Sequence, residues 1–176
     1  MGNNGGDGLA IARMLIETGY RHVSTYVVRH SPAATADFTL NATRLENISS
    51  IHYIETTRQI PALSNSTIII DAIFGTGLSR AVSGICAEVI NAVNRSGATL
   101  YSVDIPSGLF CDKPNADGDV VMKAAVTFTF HAPKLSFLFA GNGNYVPKFE
   151  VLDIGLDKDY AESLNSPWLY ITRSMV

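Results

Sequence analysis

Two kinds of segment alternate along this chain of 176 residues, and that alternation restricts its fold more than any other feature. The apolar run TIIIDAIF, residues 67 to 74, is typical of a strand buried on both faces of a sheet. The segment GICAEVINAVNRSG follows it and places Ile85, Val89 and Val93 at helical spacing. Because helices are the usual connections between parallel strands, the alternation predicts a mostly parallel sheet with helices on both faces.

The other apolar segments follow the same pattern. Strands are predicted at residues 23 to 28 and within IHYIE, TLYSVDIPSG, AAVTFTF and KFEVLDIG. The segment LAIARMLIETG predicts a helix that ends at Gly19. Its core-facing residues are expected to be Leu9, Ala12, Leu15 and Ile16. The segment AATADFTLNATRLENI predicts another helix, with the candidate core residues Phe38, Leu45 and Ile48.

Composition narrows the class of protein. Apolar residues make up 47% of the chain and charged residues 16%, which is typical of a single globular domain. The formal net charge of −3 argues against a nucleic-acid binder, which normally presents a basic field. No apolar run reaches the roughly 18 residues that span a bilayer, and no signal peptide is recognisable, so we expect a cytoplasmic protein. Two cysteines, Cys86 and Cys111, are too few for a disulfide framework or a zinc site.

Ligands of parallel α/β folds bind at the carboxyl ends of the strands, and this rule selects three loops. The first is the opening segment GNNGGDGL. Gly5, Gly6 and Gly8 permit backbone shapes that let N–H groups approach a phosphate, and the helix after them adds a positive dipole end. The alternative is a glycine-rich turn that only caps the helix. Oxygen ligands for a hard cation are also present there, namely Asn3, Asn4 and Asp7.

The second loop is DAIFGTGLSR. Asp71 ends an apolar strand, where an unpaired carboxylate is costly, so it needs a backbone cap, a base or a cation as its partner. Arg80 can bind a phosphate in a bidentate way. Further donors for an anion are Gly75, Thr76, Gly77 and Ser79. The alternative is an ordinary loop in which the aspartate caps the following turn.

The third loop is VDIPSG. Asp104 ends a buried strand, and Pro106 stiffens the turn after it. An aspartate at that position is suited to acid–base chemistry, and Ser107 adds a hydroxyl oxygen. The alternative is again an aspartate that caps a turn.

Five motifs occur in a fixed order, GNNGGDGL, DAIFGTGLSR, VDIPSGL, FHAPK and DIGL. Together they resemble the NAD(P)HX epimerase family, also called the YjeF N-terminal domain, from Gly2 to about Leu156. The resemblance implies a Rossmann-like three-layer α/β/α sandwich with a mostly parallel sheet. It also implies an isomerase that interconverts the R and S epimers of NADHX and NADPHX, the hydrated forms of the reduced nicotinamide cofactors. A dehydratase, fused or separate, would then act on the S epimer.

The resemblance further implies a set of site residues. The substrate would contact all three loops, through Asn3, Asn4, Gly5, Gly6, Asp7, Gly75, Thr76, Gly77, Leu78, Ser79, Arg80, Ala81 and Asp104. One potassium ion per subunit would be held by Asn4, Asp71 and Ser107. Oxygen ligands of this kind are those that K⁺ takes. The four histidines, His22, His30, His52 and His131, lack metal-ligand spacing and are interpreted as structural or surface residues.

The mechanism expected for such an enzyme needs one acid–base group. A proton donor would help hydroxide leave the hydrated ring carbon, the ring nitrogen would stabilise the resulting cation, and water would add from the other face. Asp104 is the candidate for donor and acceptor. Lys134, in the motif FHAPK, is a candidate for an electrostatic role, with a plain surface lysine as the alternative.

Relatives of this family begin earlier, with helices and a strand that leads into the glycine-rich loop. We therefore expect the epimerase domain, at residues 1–160, to lack its first strand and its N-terminal helices. Residues 161–176 are expected to be a tail that starts a connection to a dehydratase domain. The family also implies a homodimer.

Two alternative functions explain the same residues less well than an epimerase does. A non-catalytic nucleotide-binding or scaffold module of the same fold has no need of Asp71, Asp104 or the asparagine pair, yet all of them are present. A dinucleotide-dependent oxidoreductase is disfavoured, because no G-x-G-x-x-G motif precedes a helix and no acidic ribose partner follows at the expected distance.

Overall fold

The computed structural model describes residues 1–171, and within them it contains six strands and four α-helices. The strands are β1 (Thr25–Val28), β2 (Ile51–Ile54), β3 (Ile68–Asp71), β4 (Thr99–Val103), β5 (Val126–Phe130) and β6 (Phe149–Leu152). The helices are α1 (Asn3–Glu17), α2 (Ala36–Glu46), α3 (Gly84–Arg95) and α4 (Lys158–Ser163). Each predicted strand and helix therefore exists, with bounds shifted by a few residues. The predicted tail, residues 161–176, lies partly outside the described residues.

The strands form two parallel groups. Strands β1 and β2 pair with each other, and β3, β4, β5 and β6 pair in that order. Every ladder is parallel, which confirms the parallel sheet expected from the sequence. Over residues 1–171, no ladder joins β1 to β3.

Helices cover both faces of β1, as its side chains demonstrate. Val27 packs in a core cluster with Leu9 of α1 and Leu45 of α2. Its neighbour Val28 points the other way, into a cluster with Ile90 of α3. The arrangement is therefore the three-layer α/β/α sandwich that the motifs implied.

Two predictions about burial are wrong. The run at residues 67–74 was expected to be covered on both faces, but Ile68 is 69% exposed and Ile70 is 40% exposed. The physical reason is that β3 is the outer strand of its group and pairs only with β4. Ile48 was also expected in the core and is 47% exposed, because α2 ends at Glu46, before it.

The opening glycines do not form a loop, because α1 begins at Asn3 and includes them. Their contribution is close approach rather than unusual backbone shape. A Cβ atom on Gly8 would lie 2.6 Å from the Cβ of Ala72, and one on Gly5 would lie 3.1 Å from the ring of Phe38. Hydrogen atoms at these positions let α1 pack directly against α2 and the end of β3.

No helix within the described residues is both long enough and apolar enough to cross a membrane.

The core cluster between α1, α2 and β1 predicts that shortening a side chain lowers the free energy of unfolding according to how deeply that side chain is buried. Leu45 is fully buried, so Leu45→Ala should lower the free energy of unfolding by about 2–5 kcal/mol. Leu40 lies in the same helix and is 49% exposed, so Leu40→Ala should change the free energy of unfolding by less than about 0.5 kcal/mol. Urea denaturation measures that free energy for both variants, and equal losses of stability would contradict this packing.

Candidate active site

A cavity of about 610 Å³ opens where the carboxyl ends of β1, β3 and β4 meet the start of α1. Most of the residues expected to contact substrate line it, which are Asn3, Asn4, Asp7, Gly75, Thr76, Gly77, Leu78, Ser79, Arg80 and Asp104. Three segments far apart in the sequence therefore share one cavity. This is the position that a parallel α/β fold gives its ligands.

Three of the expected contact residues are not part of the cavity wall. Gly5 faces the ring of Phe38, and Gly6 lies against the backbone of Asp37 and Phe38, so both pack α1 onto α2. Ala81 follows the lining segment, and its side chain is exposed.

Asp71 is a buried carboxylate, only 2% exposed, at the end of β3. Its Oδ2 accepts hydrogen bonds from the Ser102 hydroxyl at 2.9 Å and from the Ser107 backbone N–H at 2.8 Å. Its Oδ1 accepts from the Ser107 hydroxyl at 2.5 Å and from the Ile73 N–H at 3.3 Å. Burial raises the pKa of Asp71, and these hydrogen bonds act in the opposite direction. The carboxylate thus ties β3, β4 and the third loop together.

Asn4 connects the start of α1 to the same network. Its Nδ2 donates to the Phe74 carbonyl at 2.8 Å and to the Val103 carbonyl at 3.2 Å. The Phe74 N–H in turn donates to the Ser107 hydroxyl at 2.9 Å. Asn4 Oδ1 is buried and has no hydrogen-bond partner. Asn4, Asp71 and Ser107 are therefore linked through one hydrogen-bond network, in which the buried Asn4 Oδ1 is left without a partner.

Asp104 occupies the cavity wall just after β4 with a left-handed backbone, at φ 64°. Its Oδ1 lies 2.8 Å from the ammonium Nζ of Lys134, and only 13% of its side chain is exposed. The same oxygen accepts from the Phe130 N–H at 3.2 Å and from the Thr129 hydroxyl at 3.4 Å. Asp104 is therefore tied to the end of β5 and to the segment that follows it.

Asp7 is the second carboxylate of the cavity wall, and its side chain lies at the exposed mouth. Partial burial raises its pKa, and the negative charges of Asp104 and Asp37 raise it further. The cavity therefore has one carboxylate stabilised by a lysine and another that holds its proton more strongly than a free aspartate.

His30 also lines the cavity, and sequence reasoning missed it. Its Nδ1 lies 3.0 Å from the Val28 carbonyl, and its ring makes an edge contact with Phe74 at a centroid distance of 4.9 Å. Burial lowers the pKa of His30. The signal that could have found it is its place two residues after β1, at the carboxyl end of a strand.

This chain is similar to known proteins in both sequence and fold. The protein family described as "YjeF-related protein N-terminus" matches residues 1–136. The NAD(P)H-hydrate epimerase of Limosilactobacillus reuteri is 37% identical over 147 residues, which are 80% of this chain and 66% of that protein. The NAD(P)H-hydrate epimerase of Levilactobacillus brevis is 36% identical over 159 residues, 88% of this chain and 69% of that protein. The chain thus spans about two thirds of the length of these relatives.

Two further matches differ in extent. The bifunctional NAD(P)H-hydrate repair enzyme Nnr of Coxiella burnetii is 34% identical over 161 residues, 90% of this chain and 32% of that protein. The crystal structure of the yeast protein ynu0 superposes with a TM-score of 0.66 and 21% sequence identity, covering 98% of this chain and 71% of the yeast chain. At that identity, the structural match supports the fold alone.

The Asp71 network predicts that Ser107 stabilises the fold. Ser107→Ala removes a donor to the buried carboxylate and the acceptor of the Phe74 N–H, so the free energy of unfolding should fall by about 1–3 kcal/mol. Ser83 is exposed and its side chain does not cap α3, so Ser83→Ala is the matched control, with a change below about 0.5 kcal/mol. Chemical denaturation measures both, and an unchanged stability of Ser107→Ala would refute the role given to this hydroxyl.

Proposed function

The chain belongs to the YjeF-related protein N-terminus family, and from this premise we propose that it epimerises NAD(P)H hydrates, interconverting the R and S forms of NADHX and NADPHX. The observation that carries the proposal is a single cavity shared by the start of α1, residues 75–80 and the Asp104 carboxylate. This cavity combines a region suited to phosphates with an acid–base group.

The phosphate-binding half of the cavity suits the pyrophosphate of a dinucleotide. The N-terminal residues of α1 offer unpaired backbone N–H groups and the positive end of a 15-residue helix. Gly75, Thr76 and Gly77 add an open turn on the facing wall, and the exposed guanidinium of Arg80 adds a cation. The net charge of the whole chain is negative, so these local donors carry the attraction for an anion.

Asp104 is the group to which we assign the chemistry. Its carboxyl would give a proton to the departing hydroxyl of the hydrated nicotinamide ring, while the ring nitrogen stabilises the carbon cation that forms. It would take a proton back when water adds to the other face, which inverts the configuration at that carbon. General acid–base assistance of this kind contributes roughly 10²–10⁴-fold in rate.

We propose that one K⁺ ion binds at Asn4, Asp71 and Ser107. The buried Asn4 Oδ1 without a partner supports this assignment, because a cation would satisfy it. The carbonyl of Phe74, which already accepts from Asn4, supplies another hard oxygen nearby. When bound, the ion supplies positive charge that offsets the Asp71 carboxylate and the phosphates of the substrate.

The setting of the activity is part of the same proposal. We infer a homodimer that acts in the cytoplasm beside a dehydratase specific for the S epimer. The bifunctional repair enzyme of Coxiella burnetii, which is 34% identical to this chain over 161 residues, supports coupling to a second repair activity.

The proposed function predicts that the rate of epimerisation depends on the Asp104 carboxylate. The purified chain is incubated with R-NADHX in potassium buffer, and a dehydratase specific for the S epimer reports the product. The chain should accelerate loss of the R form above the spontaneous rate, and Asp104→Asn should lower that acceleration roughly 10²–10⁴-fold. Asp112→Asn changes an exposed aspartate outside the cavity wall and should leave the rate unchanged.

Two results would contradict this proposal in different ways. An Asp104→Asn variant with full activity would remove Asp104 from the chemistry. A wild-type chain that binds NADHX without accelerating its epimerisation would favour the non-catalytic binding module.

The cation site predicts ion-specific stabilisation. Potassium chloride should raise the melting temperature more than sodium chloride at equal ionic strength, since a ligand that binds only the folded state at ten times its Kd contributes about 1.4 kcal/mol. Asn4→Ala should abolish the difference between the two salts, whereas Asn65→Ala, at an exposed asparagine, should keep it. Equal effects of both salts on the wild-type chain would argue against a selective potassium site.

A further inference from the structure

Lys134 lies behind the cavity wall, and its ammonium group is fully engaged. It follows β5, within the segment that leads into the turn at Leu135–Leu138. Its Nζ contacts Asp104 Oδ1 at 2.8 Å, the Phe130 carbonyl at 3.0 Å and the Ala132 carbonyl at 3.4 Å. An ammonium has three N–H donors, so all of them have partners inside the protein. Only 14% of the Lys134 side chain is exposed, which argues against a plain surface lysine.

The contacts on Asp104 are divided unequally between its two oxygens. Oδ1 receives Lys134 Nζ, the Phe130 N–H and the Thr129 hydroxyl. None of the hydrogen bonds within residues 1–171 reaches Oδ2. The carboxylate is thus held by one oxygen, at a residue that lines the cavity, and the other oxygen is left for a ligand.

We infer that Lys134 is a positioning residue for the epimerisation: it fixes Oδ1 of Asp104 so that Oδ2 alone meets the substrate. The inference rests on the proposed function. Lys134 itself is not part of the cavity wall, so it acts through Asp104 and does not touch the substrate. Loss of the ammonium would leave Oδ1 held only by the Phe130 N–H and the Thr129 hydroxyl, and it would leave a poorly solvated charge without its cation.

The charged surroundings of Asp104 explain why a cation is needed there. Asp7 faces Asp104 from α1 closely enough for their charges to interact. Cys111 also lies close enough for the charges of Asp104 and Lys134 to act on it. Through its direct contact with Asp104, Lys134 is placed to offset the repulsion between the two carboxylates.

The test compares Lys134→Met, which removes the charge, with Lys134→Arg, which keeps it. Lys148→Met is the matched control, because Lys148 pairs with Glu150 at 2.9 Å but is 62% exposed and is not part of the cavity wall. The kcat and KM for epimerisation of R-NADHX are measured at a fixed potassium concentration, and the melting temperature of each variant is recorded. Lys134→Met should lower kcat at least tenfold with little change in KM, because binding contacts remain while the reacting oxygen is no longer fixed.

The split between kcat and KM, together with the charge-conserving variant, separates positioning from a merely structural role. Lys134→Arg should recover most of the wild-type kcat, and Lys148→Met should match the wild type in kcat and KM. A Lys134→Met variant with the wild-type kcat, or one whose kcat falls only in proportion to its loss of folded protein at the assay temperature, would overturn the inference.

A second measurement holds even where Lys134→Met does not fold. The ¹⁵N signal of Lys134 Nζ is recorded in the wild-type chain, in Asp104→Asn and in the control Asp112→Asn. A shift of that signal in Asp104→Asn alone supports the pair, and an unchanged signal overturns it. A wild-type chain without epimerase activity is a different outcome, because it rejects the proposed function before any Lys134 variant is compared.

Discussion

The arrangement of the cavity depends on one buried carboxylate. Asp71 has almost no contact with solvent, and it accepts hydrogen bonds from Ser102 on β4 and from Ser107 in the loop after β4. Because an unpaired carboxylate in that position would be very costly, the loops have to close around it. Ser107 then orders the Phe74 backbone, and Phe74 in turn receives Asn4 from α1. A single electrostatic requirement therefore brings three distant segments together.

The carboxylates of Asp71 and Asp104 have different kinds of partner, and the difference fits different roles. Asp71 is surrounded by neutral donors, and burial raises its pKa because it disfavours the charged carboxylate, a cost that the proposed cation would offset. Asp104 has a lysine at 2.8 Å and keeps one oxygen clear of hydrogen bonds, which suits a group that exchanges a proton with a substrate. Their backbones differ as well, since Asp71 lies within β3 and Asp104 has a left-handed backbone just after β4.

The glycines of the opening segment illustrate how a correct site can have an incorrect local explanation. Their density suggested a flexible phosphate loop, but the structure has them inside α1. Gly8 is needed because Ala72 is too close for any larger side chain. The segment still contributes to the cavity, through the side chains of Asn3, Asn4 and Asp7 at the start of α1.

The sequence by itself determined the fold class, the order of strands and helices, and the three segments that line the cavity. These follow from local periodicity and from the rule that parallel strands end at one edge of a sheet. Only the tertiary structure decided that β3 is an outer strand with Ile68 and Ile70 exposed, that His30 joins the cavity wall, and that Lys134 reaches Asp104. Those facts depend on which elements become neighbours and on the direction of each side chain. Both are set by packing and charge pairing between residues that are far apart in the chain, and no local pattern records them.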